Sequence, residues 1–133
     1  MAFYRTREGQ VTAADSFTAI TGLYGQSTTA SIQVPAGTSS IVGMIASVAT
    51  DSAANGVTTF ACQVSGDGLQ SGQETIVFAG AGVDGTPVSN GGTVEAFKLD
   101  VSIPCIASNQ VSVAVAMSGD TGTCEAAITL VFQ

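Results

Sequence analysis

From Ser16 to Thr50 the chain runs thirty-five residues without an Asp, Glu, Lys or Arg. A stretch of that length and polarity has three places to go: lipid, its own core, or the surface of another copy. A spanning helix needs about twenty consecutive, mostly apolar residues. Here the apolar stretches are broken by Thr21, Gly22, Gly25, "QSTTAS", Gln33 and "PAGTSS", so no membrane span is expected. Gly22, Gly25, Pro35, Gly37 and Gly43 weigh equally against a long amphipathic helix, because each weakens or breaks helical hydrogen bonding.

Alternation with a period of two fits instead. "EAFKLDVSI" sets Phe97, Leu99, Val101 and Ile103 against Lys98, Asp100 and Ser102. "NQVSVAVAMSG" sets Val111, Val113, Val115 and Met117 against Ser112, Ala114, Ala116 and Ser118, and "TCEAAITLVFQ" aligns Cys124, Ala126, Ile128, Leu130 and Phe132. In "TTFACQVSG" the inward set is Phe60, Cys62 and Val64. The pattern predicts eight strands, near 17–24, 29–34, 40–49, 58–65, 74–80, 93–103, 109–118 and 122–132, separated by turn-forming runs such as "PAG", "DSAANG" and "SGDTG". Short strands with hairpin-sized links predict an all-β, antiparallel architecture of eight strands, a β-sandwich, jelly roll or barrel rather than a parallel sheet. In "SSIVGMIASVAT" strict alternation puts Ile41 and Ile45 on one face and Val42, Met44, Ala46 and Val48 on the other. Both faces are apolar or small, so one is expected to meet the core and the other a neighbouring layer. That layer is either another copy or a loop of the same chain.

At 133 residues the chain suits one domain, expected over 16–133, preceded by an N-terminal arm over 1–15 in which "TREGQVTAAD" could form one short helical turn. Charged residues are 10% of the chain, against about a quarter in ordinary soluble proteins; with 45% hydrophobic residues, a packed core rather than disorder is expected. Only Arg5, Arg7 and Lys98 are basic, against ten acidic residues. From Glu8 onward no phosphate-binding stripe can form, so neither nucleic acid nor anionic lipid is an expected partner of the folded body. "MAFYRTREGQ" places charges where a secretory leader needs an apolar core, which, unless a leader has been removed, predicts a chain made and kept in the cytoplasm until assembly or lysis. Cys62, Cys105 and Cys124 are an odd set and are expected as reduced, buried thiols, with one bridge between two of them as the alternative.

The chemistry of catalysis is thin. With no histidine and no tryptophan, neither a Ser-His-Asp nor a Cys-His system can be built, and the commonest metal ligand is missing. The cysteine spacing has no C-x-x-C pair, so no zinc site is expected. Asp67 with Glu74, or Glu95 with Asp100, could serve as paired carboxylates, and Lys98 as a Schiff-base amine. Exposed turn carboxylates and a surface ion pair between Lys98 and Asp100 are the simpler readings. The Gly-rich loops 66–74 and 82–92, holding Asp67-Gly68 and Asp84-Gly85, offer oxygens to calcium but lack its usual spacing and read first as tight turns. Asn55-Gly56 and Asn90-Gly91 are likewise read as turns. Tyr4, Tyr24 and whichever phenylalanines face outward would be the aromatics of any sugar platform. No catalytic, cofactor-binding or metal residue is assigned, no cofactor is expected, and the chain is expected not to be an enzyme.

Across residues 16–133, "IQVPAGTSSIVGMIASVAT" as one paired-strand unit, "FACQVSGDGLQSGQETIVFAGAG" as the next and a final "EAAITLVFQ" give a chain that resembles the small jelly-roll structural proteins of bacterial and archaeal viruses, the capsid or capsid-decorating subunits. The resemblance implies a single jelly roll that self-assembles into a shell, fibre or surface layer, with a short N-terminal arm reaching a neighbour. It implies no functional residues, because such proteins work through surfaces. The expected partners are further copies of the chain and other virion proteins, and the expected location is the virion. An extracellular adhesin, a carbohydrate-binding sandwich or a filament subunit is the alternative.

Overall fold

The computed structural model describes residues 1–12, 17–23, 26–27, 31–50, 59–69, 75–81, 94–118 and 123–133. Its strands are β1 (Phe3–Thr12), β2 (Thr18–Ala19), β3 (Gly22–Leu23), β4 (Gln26–Ser27), β5 (Ser31–Gln33), β6 (Ser40–Thr50), β7 (Thr59–Ser65), β8 (Thr75–Ala81), β9 (Val94–Pro104), β10 (Gln110–Ser118) and β11 (Thr123–Phe132). Among the described residues no helix is long and apolar enough to cross a membrane.

Two antiparallel sheets result. Sheet A has the order β4-β3-β1-β11-β6-β9, and sheet B the order β2-β10-β7-β8 with β5 also on β10. The pairings are nested: β1 with β11, the β2 and β5 segments with β10, β6 with β9, and β7 with β8. This folded-over double ribbon is a jelly roll, one of the antiparallel folds expected from the alternation and the one the resemblance implies.

The core lies where the inward rows meet. Ile41, Met44 and Ala46 of β6 and Ala126, Ile128, Leu130 and Phe132 of β11 face Ile32 of β5, Cys62 and Val64 of β7, and Val111, Val113 and Val115 of β10, all of them buried. Burying each of the larger side chains is worth roughly 1.5–3 kcal/mol, which is how the uncharged ribbons become one body. Thr38 is the buried polar side chain of the described core, and its hydroxyl donates to the Pro35 carbonyl at 2.6 Å.

Three local expectations need correction. The segment expected as an N-terminal arm contains β1, which pairs with β11 at every position from Phe3↔Phe132 to Thr12↔Thr123. Its charges hide it, since Arg5 and Arg7 share the strand face of Phe3. The strand expected over 17–24 is two segments in different sheets: Ala19 pairs with Ala114 of β10, while Gly22 pairs with Glu8 of β1. The crossing is tight at Gly22, where a Cβ would stand 2.6 Å from the Glu8 carbonyl oxygen, so only glycine fits.

The third concerns β6. Ile41 is fully buried whereas Ile45 is 38% exposed, so they do not share a face. Phe132 pairs with Ile41 and Val131 with Gly43, which leaves Val42 as an extra residue against β11. On the other side Ile41 pairs with Ile103 and Gly43 with Asp100. A bulge shifts the alternation by one, so Met44 and Ala46 reach the core on the parity opposite to Ile41.

Candidate assembly face and a cleft at the sandwich edge

The charged residues divide unevenly between the two sheets. Sheet A strands carry Arg5, Arg7, Glu8, Glu95, Lys98, Asp100 and Glu125, while no strand of sheet B contains a charged residue. Outward from the buried row of β10 stand Ser112, Ala114 and Ala116, which pair with Ser65, Gln63 and Ala61 of β7. All six are half-buried. The centre of this outer face, on β7 and β10, is thus a patch of methyls, hydroxyls and the Gln63 amide, with the Gln33 and Gln110 amides at its end. Side chains this short lose little rotamer freedom on contact. Sheet A is more mixed on its outside: Tyr4 is 59% exposed, Asp100 is exposed, and the Thr6 and Thr129 hydroxyls share a hydrogen bond of 2.8 Å across β1 and β11.

A cleft of about 540 Å³ opens between the sheets beside β1. One wall is Phe3, Arg5 and Arg7 from sheet A, and the other is Ile32 to Ala36, with Ser108 at the rim. Arg7 reaches across the gap, donating from Nη2 to the Ser31 carbonyl at 2.9 Å and from Nη1 to the Thr6 carbonyl at 2.9 Å. Arg5 donates to the Tyr4 carbonyl at 3.0 Å, and its guanidinium carbon sits 5.8 Å from the Phe3 ring centroid, within cation–π range. Partial burial, followed by the like charge of Arg5, draws the Arg7 guanidinium pKa below its ordinary value. Ser108 holds a left-handed backbone, φ 70°, and donates its N–H to the Val34 carbonyl at 3.0 Å. The sequence carried one signal for this cleft, two arginines spaced i and i+2 beside an inward Phe. The opposite wall is a tertiary event.

The carboxylates singled out from sequence do not form a pair among the described residues. Asp67 organises a turn: Leu69 N–H donates to the Gly66 carbonyl at 3.1 Å, and Asp67 Oδ1 accepts from the Gln110 N–H at 2.9 Å. Gly66 has φ 127°, with a would-be Cβ 2.5 Å from the Gln110 carbonyl oxygen. The tight-turn reading of Asp67-Gly68 is therefore the one the structure displays. Glu74, Asp84, Gly85, Asn55, Gly56, Asn90, Gly91 and Tyr24 lie outside the described residues. Glu95 and Lys98 occupy β9 opposite Val48 and Ile45, their side chains lying outside the described set. Among the described residues no three His, Cys, Asp or Glu side chains gather as metal ligands.

Cys62 and Cys105 are buried free thiols, as expected; the Cys124 side chain lies outside the described set. Burial pushes the Cys62 thiol up to about 12. Burial also raises Cys105, with a Thr38 hydrogen bond opposing the rise. Neither is prepared as a nucleophile, which requires a lowered pKa.

No known protein family and no curated protein sequence matches the chain. Solved structures do match its fold. A chain of infectious bursal disease virus, Gx strain, superposes with a TM-score of 0.53 at 15% identity over 99% of this chain and 37% of that one. A chain of T=1 particles derived from infectious bursal virus gives 0.50 at 18% identity, over 96% of this chain and 31% of the other. The PRD1 vertex protein P5 gives 0.49 at 12% identity, over 96% of this chain and 94% of that one. The chain spans about a third of the length of the bursal virus chains it matches. At these identities the likeness is one of fold.

Proposed function

We propose that this chain is a non-enzymatic structural subunit that self-associates into a virion shell or surface layer. The observation that carries the reading is the uncharged outer wall of sheet B, on a jelly roll whose opposite sheet holds all the charges found in strands. Strands without charges give such a wall no electrostatic reason to stay apart from a second copy, and its short side chains permit close approach. Support of a different kind is the shared fold with a chain found in T=1 particles. On this reading the partners are further copies and other virion proteins, the location is the virion, and the folded body makes no nucleic-acid contact.

Contact through the strands of sheet B would depend weakly on salt, because those strands carry no charged residue to screen. Light scattering coupled to size exclusion, at low and high salt, tests this together with electron microscopy of the purified protein. Oligomers, rings, fibres or shells are expected under both conditions. A monomer at high micromolar concentration in both would overturn the proposal.

A further inference from the structure

We infer that the cleft between β1 and residues 32–36 is a docking site for a carboxylate-bearing segment of a second copy of this chain. The inference rests on the self-association reading and names a second contact within it. Two of the chain's three cationic side chains line this one opening. Arg5 and Arg7 stand two residues apart on one face of β1, with Arg5 exposed at the opening. Among the described residues no carboxylate is paired with Arg5, whose guanidinium is directed by a backbone carbonyl and the Phe3 ring.

The remaining lining sets the ligand's character. Phe3, Ile32, Val34 and Pro35 present carbon, while Gln33 and Ser108 add polar atoms at the rim. A bare phosphate would leave most of that surface unused, whereas an acidic side chain on a short peptide would meet both the charge and the apolar wall. The volume falls in the ordinary range for sites that enclose a small ligand or a few side chains. The chain itself supplies such segments in abundance. It has ten acidic residues, and Asp15, Asp51, Asp67, Glu74, Asp84 and Asp120 fall in the sequence between the described strands.

Among the described residues the cleft's lining contains no acidic residue, so two such linings cannot face one another about a two-fold axis without opposing their arginines. The contact must join the cleft of one copy to a different surface of the next. Head-to-tail contacts of this type generate rings or extended arrays rather than closed dimers.

The test uses the full chain, the Arg5→Gln and Arg5→Lys variants, and two labelled peptides of its own sequence, residues 64–76 and 81–90. Each peptide is paired with a counterpart carrying Asp67→Asn with Glu74→Gln, or Asp84→Asn. Arg7 is left intact because it ties the two sheets together at Ser31. Fluorescence anisotropy should show at least one acidic peptide binding about tenfold or more tightly than its amide counterpart. That preference should be lost in Arg5→Gln, partly kept in Arg5→Lys and weakened by salt. Sedimentation of the full chain should show a salt-sensitive part of self-association that disappears in Arg5→Gln while the salt-insensitive part remains. Equal binding of acidic and amide peptides, or unchanged association and salt response in Arg5→Gln, would overturn the inference and leave the sheet B contact standing. Peptide binding by a chain that never self-associates would instead overturn both the second copy as occupant and the building-block function. Preference for a sulfated oligosaccharide over every peptide would also overturn the occupant.

Discussion

Phe3 stands opposite Phe132 in register, so the first long strand of the chain is closed against the last. Truncation of Met1–Gly9 therefore removes seven register pairs from the middle of sheet A and uncovers the edge of β11. At roughly 0.5–1.5 kcal/mol net per ladder hydrogen bond, the cost is on the order of 5 kcal/mol. Thermal unfolding should show a large fall in Tm or loss of folding. A truncated chain that melts like the full one would return this segment to the role of a free arm.

Leu130 is fully buried on β11 and Val131 beside it is half-buried on the outer face. Leu130→Ala should cost about 2–5 kcal/mol in urea denaturation, and Val131→Ala under about 1 kcal/mol. Similar costs for the two would contradict the assigned faces.

Gly66 combines a positive φ with a carbonyl oxygen 2.5 Å from where a Cβ would be. Gly66→Ala should destabilise by about 2 kcal/mol or more, since both the backbone conformation and the neighbouring Gln110 must yield. Denaturant midpoints of the two proteins measure it.

The Cys62 thiol is raised in the fold to about 12, above the roughly 8.5 of a free thiol. The folded state holds this proton longer than the unfolded state does. Its contribution to stability is thus complete below the unfolded value and declines as pH rises toward the folded one, by at most about 1.4 kcal/mol per pH unit. Urea midpoints at pH 8, 9.5 and 10.5 should fall for the native chain, and fall less steeply for Cys62→Ala. Native Cys62 should resist iodoacetamide at pH 8 and react once unfolded.

Ala114 and Ala116 lie on the outer wall of sheet B, central on β10. Ala114→Glu or Ala116→Glu should leave Tm within a few degrees while weakening self-association at least tenfold, because a desolvated carboxylate there finds no partner. Sedimentation velocity reads the association. Unchanged assembly in both variants would show that this wall is not the contact.

Much of this architecture could be read from side-chain alternation. The rows Val111-Val113-Val115 and Ala126-Ile128-Leu130-Phe132 are buried as the period demands, and so are Cys62 and Val64. What stayed hidden has physical causes. β1 was obscured because inward strand positions beside the gap between the sheets carry arginines: Arg5 is exposed there, and Arg7 bonds the Ser31 carbonyl across the gap. The split at Thr21 depends on a close backbone approach at Gly22, visible only once Glu8 is in place. The cleft exists because β1 and residues 32–36 meet across the two sheets, a proximity no local pattern encodes.

The bulge at Val42 reaches further than one residue. Between its two flanking register pairs, β11 advances by one step, β6 by two and β9 by three, like runners in adjoining lanes of a bend. Dropping Val42 would suit the inner lane and widen the mismatch with the outer one, and adding a residue would do the reverse. That stretch of β6 is pinned in length by a compromise between its neighbours, so natural variation in chain length should accumulate almost anywhere else first.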